Sequence, residues 1–180
     1  MVTRHNTLST LLRKKTRTLR VFTFALWLIF VTACADHTPI QWPAKVTSWG
    51  NLKDSDVQRI QASIHEVETR SGQTWLAHDS NHHFEIEFSG VDFSPEYPNR
   101  AGFASTDWST CKVELSPRLF DSGTDALLTT VVAHELGHCV GLTHAPTDGE
   151  IMSPAALPET MYTEDAWARF FSLFQSSITL

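Results

Sequence analysis

The chain has 180 residues, enough for one domain, and its charge is unevenly distributed. Residues 1–35 carry six Lys and Arg side chains and no Asp or Glu, which leaves eight basic side chains against twenty acidic ones in the remainder. A surface this acidic repels phosphate groups, so we exclude nucleic acid as a partner. It suits a soluble domain that is secreted or periplasmic.

An apolar run over residues 21–33 follows the basic N-terminal stretch. As a helix it reaches only about 20 Å, short of the ~30 Å hydrocarbon core of a bilayer. Basic residues, a short apolar run and small residues at its end are typical of an export signal. We therefore assign residues 1–33 to a signal, residues 34–39 to a tether and residues 40–180 to the folded domain.

Two cleavage sites fit the end of this signal. Residues 31–34, Val-Thr-Ala-Cys, resemble a bacterial lipobox, in which Cys34 is lipidated and becomes the new N-terminus. Residues 33–35 also fit the small-x-small rule of an ordinary signal peptidase, which would release a free protein. An uncleaved membrane anchor is the third interpretation. We favour the lipoprotein, because a Cys directly after an apolar run is otherwise unusual, and all three interpretations place the domain outside the cytoplasm.

Two further cysteines, Cys111 and Cys139, remain once Cys34 is set aside. In an oxidising compartment an even pair forms a disulfide more often than two free thiols. We therefore expect a Cys111–Cys139 bridge; the alternative is two small buried side chains.

Periodicity and turn residues divide the domain into strands and helices. The predicted strands lie around residues 40–49, 84–88, 100–105 and 111–115. The predicted helices run from a cap at Asp54 or Ser55 to about Gly72, from Thr124 or Asp125 to Gly141, and from a cap at about Thr163 through Phe174. This order of strand, helix, three strands, helix, irregular loop and helix predicts an α+β domain.

Three histidines near the end of the second predicted helix could share one metal ion. His134 and His138 are four residues apart, so on a helix they lie one turn apart on the same face. Glu135 lies about 100° round the helix from His134, within reach of a water on that metal. Gly141 can take the positive φ that ends the helix and returns the chain, which brings His144 to the same ion. Three imidazoles with one open position are typical of catalytic zinc.

The segment His134–His144 matches the metzincin signature His-Glu-x-x-His-x-x-Gly-x-x-His without a departure, and residues 151–154, Ile-Met-Ser-Pro, resemble the Met-turn of that family. The short spacing from His144 to Met152, with Pro154 two residues further on, makes the chain most similar to the matrixins, the matrix-metalloprotease-like branch. The resemblance implies a mixed, mostly parallel, twisted sheet with an antiparallel edge strand, an active-site helix, a Met-turn and a C-terminal helix.

By the same resemblance, residues 40–180 would form a zinc-dependent endopeptidase. Three residues would hold the Zn²⁺: His134, His138 and His144. Glu135 would act as general base on a zinc-activated water. Met152 would support the site without contacting zinc, and residues 101–105 resemble the edge strand that pairs with an extended substrate. The implied partner is a protein or peptide substrate, and we expect the enzyme to be a monomer whose only membrane attachment is the lipid on Cys34.

Two other functions stay open from the sequence. A zinc-bearing fold without catalysis could be a surface binding module, although Glu135 would have no use in a purely structural site. A cell-wall peptide could also replace protein as the substrate. His78, His82 and His83 invite a second metal site, but they precede Phe84, whereas the structural zinc ligands of matrixins lie between and on later strands. We interpret these three histidines as surface residues.

Overall fold

The computed structural model describes residues 42–77, 84–97, 99–107, 109–155, 157 and 161–178. The predicted signal and tether lie outside the described residues, and so do His78, His82 and His83, so these interpretations stay predictions. No helix within the described ranges combines the length and the apolarity needed to cross a bilayer.

The described residues form four strands and four helices. The strands are β1 (Lys45–Ser48), β2 (Glu85–Gly90), β3 (Gly102–Thr106) and β4 (Thr110–Leu115). The helices are α1 (Asp54–Ser71), α2 (Pro117–Asp121), α3 (Asp125–Cys139) and α4 (Glu164–Ile178). Every predicted strand and helix has a counterpart here. The short α2 was not foreseen, because five residues are too few to show a helical period.

The four strands form a mixed sheet in the order β1-β2-β4-β3. β1, β2 and β4 run parallel, whereas β3 pairs antiparallel with β4 and lies at the edge. Alternate side chains of the two central strands enter the core, as the period of two requires: Ile86, Phe88, Cys111, Val113 and Leu115. The mostly parallel sheet with an antiparallel edge strand is confirmed, and with it the α+β class.

Helix α1 ends as predicted but begins differently. Its N-cap is Lys53, whose side chain makes no capping hydrogen bond, so the expected cap at Asp54 or Ser55 is wrong. Asp54 lies in the first turn, where the helix dipole favours a negative charge. At the other end Gly72 has a φ of 68°, and its N–H donates to the Glu68 carbonyl. That left-handed conformation is open to glycine because it has no Cβ.

Helix α3 is buried around nearly its whole circumference. Thr124, one of the two residues predicted to start the helix, is its N-cap and accepts a hydrogen bond at Oγ1 from the Leu127 N–H. Residues 128–137 are all buried, because α1 packs against the helix as well as β3 and β4. A helix enclosed in this way is apolar on most faces. His134 and Glu135, which are ionisable and buried, are therefore exceptions that call for a chemical explanation.

A disulfide joins Cys111 on β4 to Cys139 at the end of α3, as predicted. Both cysteines are fully buried, and 28 positions separate them in the chain. Closing a loop of that length contributes on the order of 3 kcal/mol by restricting the unfolded chain. Because Cys139 directly follows His138, the bridge also fastens the histidine-bearing end of α3 to the sheet.

Helix α4 completes the core with aromatic side chains. Phe170 and Phe174 are buried, and the Phe174 ring stacks on Trp75 with 3.9 Å between the ring centroids. Thr163 precedes the helix as predicted, and its Oγ1 accepts a hydrogen bond from the Ala166 N–H. The C-terminal helix implied by the metzincin resemblance is thus present.

Candidate metal centre

Three imidazole rings meet where α3 ends. Nε2 of His138 lies 3.1 Å from Nε2 of His134 and 3.2 Å from Nε2 of His144. Nitrogen ligands of a tetrahedral zinc, each about 2.0–2.1 Å from the metal, are separated by roughly 3.4 Å. The spacing fits one small cation. In the described part of the chain no other set of three His, Cys, Asp or Glu side chains converges in this way.

Two backbone carbonyls orient the rings carried by α3. Nδ1 of His134 lies 2.8 Å from the Ile151 oxygen, and Nδ1 of His138 lies 2.7 Å from the Leu142 oxygen. A carbonyl oxygen can only accept, so in the neutral rings Nδ1 carries the proton and Nε2 presents a lone pair. Two lone pairs that face each other at this distance repel unless a cation lies between them. The donor set therefore fits a metal ion.

A proton cannot readily take the place of that cation. Burial lowers the pKa of His134 to about 4, outweighing the hydrogen bond to Ile151, and burial likewise lowers the pKa of His138. Both rings are thus neutral at pH 7, which is the state in which imidazole binds a metal. His144, in contrast, is exposed on the segment that follows the helix.

Glu135 is buried against the backbone of the edge strand. A Cβ added to Gly102 would stand 2.5 Å from Glu135 Oε1, so only glycine leaves room for the carboxylate. Oε2 is buried and has no hydrogen-bond partner among the described residues. Burial raises the pKa of Glu135 to about 8, against the opposing effects of the Arg100 charge and a hydrogen bond from the Ala104 backbone. A divalent cation nearby would favour the ionised carboxylate.

Met152 packs beneath this end of α3. It is buried, and a Cβ added to Gly137 would stand only 2.6 Å from its Sδ, so the thioether rests on bare helix backbone. The Met152 carbonyl accepts a hydrogen bond of 2.8 Å from the Ala145 N–H. This hydrogen bond holds together two parts of the segment after α3, one next to His144 and the other next to Ile151.

The centre opens on a cavity of about 790 Å³. One wall is the edge strand, where residues 101–104 of the predicted substrate-binding segment line the cavity. Pro154, the last residue of the Met-turn-like segment, and Ala155 also line the cavity. This volume is within the range of sites that enclose small ligands and short peptide segments.

The structure brings together all four residues predicted for the site: His134, Glu135, His138 and His144. The groups that position them were missed. The Ile151 and Leu142 carbonyls have no signature in the sequence, because every residue has a carbonyl. Gly102 did carry a signal, since a glycine inside a strand pattern indicates a close approach by another group.

The chain is similar to one protein family and to two solved structures. The family model of the matrixins matches residues 54–165. The crystal structure of archaemetzincin from Methanopyrus kandleri has a TM-score of 0.52 and 14% identity, and the match covers 76% of this chain and 95% of that one. A zinc-dependent peptidase from Methanocorpusculum labreanum has a TM-score of 0.42 and 14% identity, over 71% of this chain and 100% of that one. No curated protein matches the chain.

At 14% identity, the archaemetzincin match supports the fold alone. The family match carries the assignment, since it spans more than half of the chain and contains α3, the three histidines and the Met-turn. The protein therefore belongs to the matrixin family and is a zinc-dependent metallopeptidase acting on proteins or peptides.

Proposed function

We propose that the protein is a monomeric endopeptidase in which Glu135 is the general base and three residues hold one catalytic zinc ion: His134, His138 and His144. One observation carries the proposal. Three Nε2 atoms converge at a cavity, beside a buried carboxylate oxygen that has no protein partner in the described chain. Three protein ligands leave a coordination position open for water or substrate, as catalytic zinc requires.

Each residue of the site has a defined task in peptide hydrolysis. Bound zinc supplies a Lewis acid, which lowers the pKa of a coordinated water to about 7 and polarises a peptide carbonyl. Glu135 accepts a proton from the attacking water and then donates it to the amine that leaves. Burial makes Glu135 a stronger base than an exposed carboxylate, and Gly102, which has no Cβ, leaves room for the carboxylate beside the edge strand.

The edge of the sheet supports an extended peptide as substrate. β3 is the terminal strand and pairs only with β4 in the described sheet, and its residues 102–104 line the cavity. Such an edge can receive one more strand through backbone hydrogen bonds, which depend little on side chains. This arrangement favours an endopeptidase, which cleaves a peptide bond within the substrate chain.

Glu135→Gln should separate metal binding from catalysis. We expect one zinc per chain to remain and kcat on a quenched peptide to fall about 100- to 10,000-fold, because the proton acceptor is lost. His138→Ala should lose zinc and activity together. Atomic absorption measures the zinc content, and cleavage of the peptide with and without a chelator measures the zinc-dependent activity.

Glu87→Gln, on β2 and outside the cavity, is the matched control and should keep full activity. Full activity in Glu135→Gln would contradict the assignment of the general base. A zinc-loaded wild-type protein that cleaves no peptide would favour the binding module, and cleavage restricted to peptidoglycan fragments would favour the cell-wall hydrolase.

Gly102→Ala should impair catalysis without loss of zinc. The new Cβ would displace the Glu135 carboxylate, and a displacement of about 1 Å can cost roughly 100-fold in kcat. Gly90→Ala on β2, where a Cβ would meet Leu52 at 3.3 Å, is the control and should keep most of its activity. Steady-state kinetics and zinc analysis of both variants test this prediction. A wild-type kcat in Gly102→Ala would show that the position of the carboxylate is not critical.

We also propose that the enzyme works outside the cytoplasm, held to a membrane by a lipid on Cys34. The Cys111–Cys139 disulfide supports an oxidising compartment, and the lipobox-like residues 31–34 support the anchor. Cells supplied with a labelled fatty acid should label the wild-type protein but not Cys34→Ala. An unlabelled wild-type protein would contradict the anchor.

A further inference from the structure

The active-site cavity contains one basic side chain of Lys or Arg type among its described lining residues, Arg100. It lies two residues before the first residue of the edge strand and is exposed to solvent. The acidic lining residue is Glu135, which is already assigned to catalysis. The charge of Arg100 opposes the rise of the Glu135 pKa, but no step proposed above uses its hydrogen-bond donors.

Three aromatic rings hold the guanidinium of Arg100. Its Cζ lies 4.4 Å from the ring centroid of Tyr97, 5.0 Å from that of Phe103 and 5.7 Å from that of Phe93. Cation–π contacts at these distances restrain the guanidinium but provide no oxygen acceptor for its N–H donors. Tyr97 and Phe103 are themselves among the large apolar side chains exposed to solvent.

Among the described residues no acceptor forms a hydrogen bond with Arg100, although its charge acts on the Glu135 carboxylate. Other arginines of the chain differ in this respect. Arg59 donates to Asp125 Oδ1 and to two backbone carbonyls, and Arg169 contacts both carboxylate oxygens of Glu150. A fixed guanidinium with open donors at a cavity is suited to a carboxylate, which accepts two parallel hydrogen bonds from it.

We propose, on the basis of the proposed endopeptidase function, that Arg100 determines specificity by binding a substrate carboxylate close to the scissile bond. The aromatic rings already restrict the side chain, so less conformational entropy is lost when the carboxylate binds. The charge pattern of the domain points the same way. The chain after residue 35 has eight basic and twenty acidic side chains, so most of its surface repels an acidic substrate. Arg100 would attract such a substrate to the cavity.

The carboxylate has two chemical sources, an Asp or Glu side chain and the C-terminus of a peptide. A peptide library first locates the cleavage site in the zinc-loaded protein. Matched peptides then compare Glu with Gln at each position around that site, all with an amidated C-terminus. A final peptide carries Gln throughout and a free C-terminal carboxylate, so that the two sources are measured separately.

One carboxylate-bearing peptide should be cleaved with about a five- to tenfold higher kcat/KM than its amide analogue, mainly through a lower KM. Arg100→Gln should bring that ratio close to one. A merely structural role would lower both rates and keep their ratio. Lys112→Gln on β4, which removes a positive charge outside the cavity, should keep the wild-type ratio. Added salt should reduce the preference, because an exposed pair of charges is screened.

Equal rates on all matched peptides in the wild-type protein, or an unchanged ratio in Arg100→Gln, would overturn the proposal. Failure of the endopeptidase function gives a different result, in which no peptide is cleaved. In that case the zinc-loaded Glu135→Gln protein is titrated with the same peptides. A five- to tenfold tighter Kd for one carboxylate peptide, lost in the Arg100→Gln, Glu135→Gln double variant, would still support the role of Arg100, and equal Kd values would refute it.

Discussion

Two hydrogen bonds from imidazole Nδ1 atoms to backbone carbonyls determine what this protein can bind. With His134 held by Ile151 and His138 by Leu142, both Nε2 lone pairs face each other. Burial keeps the rings neutral, so protonation does not relieve the repulsion. A metal ion between the two atoms relieves the repulsion, and Nε2 of His144 provides the third nitrogen. Folding therefore orders these rings before the metal binds, so less conformational entropy is lost when it does.

Much of the remaining fold keeps those two carbonyls in place. Gly141, with a φ of 87°, turns the chain directly after α3 and so presents Leu142 to the helix. Met152 packs on the bare backbone at Gly137 and holds Ile151 beside the histidines. The disulfide fastens the same end of α3 to the sheet. The proposed catalytic groups therefore lie on a rigid helix and on a loop fixed at several points, which suits a site that must keep its geometry during turnover.

The sequence predicted those features that depend on local patterns. His134 and His138 could be placed on one helix face because their spacing is a single turn, and the disulfide followed from the number of cysteines. The short α2 and the Lys53 cap were missed, since neither leaves a periodic or capping signature. Arg100 was missed for another reason. Its place in the cavity depends on the tertiary contacts of a loop with β3, which no spacing along the chain encodes.

The central claim is that three imidazoles hold one zinc ion and leave a position open. X-ray absorption spectroscopy at the zinc edge of the purified, zinc-loaded protein tests it most directly. The account predicts three imidazole nitrogens and one oxygen, all at about 2.0–2.2 Å, and the loss of one nitrogen in His144→Ala. A sulfur ligand, a fourth imidazole, or an unchanged spectrum in His144→Ala would contradict it.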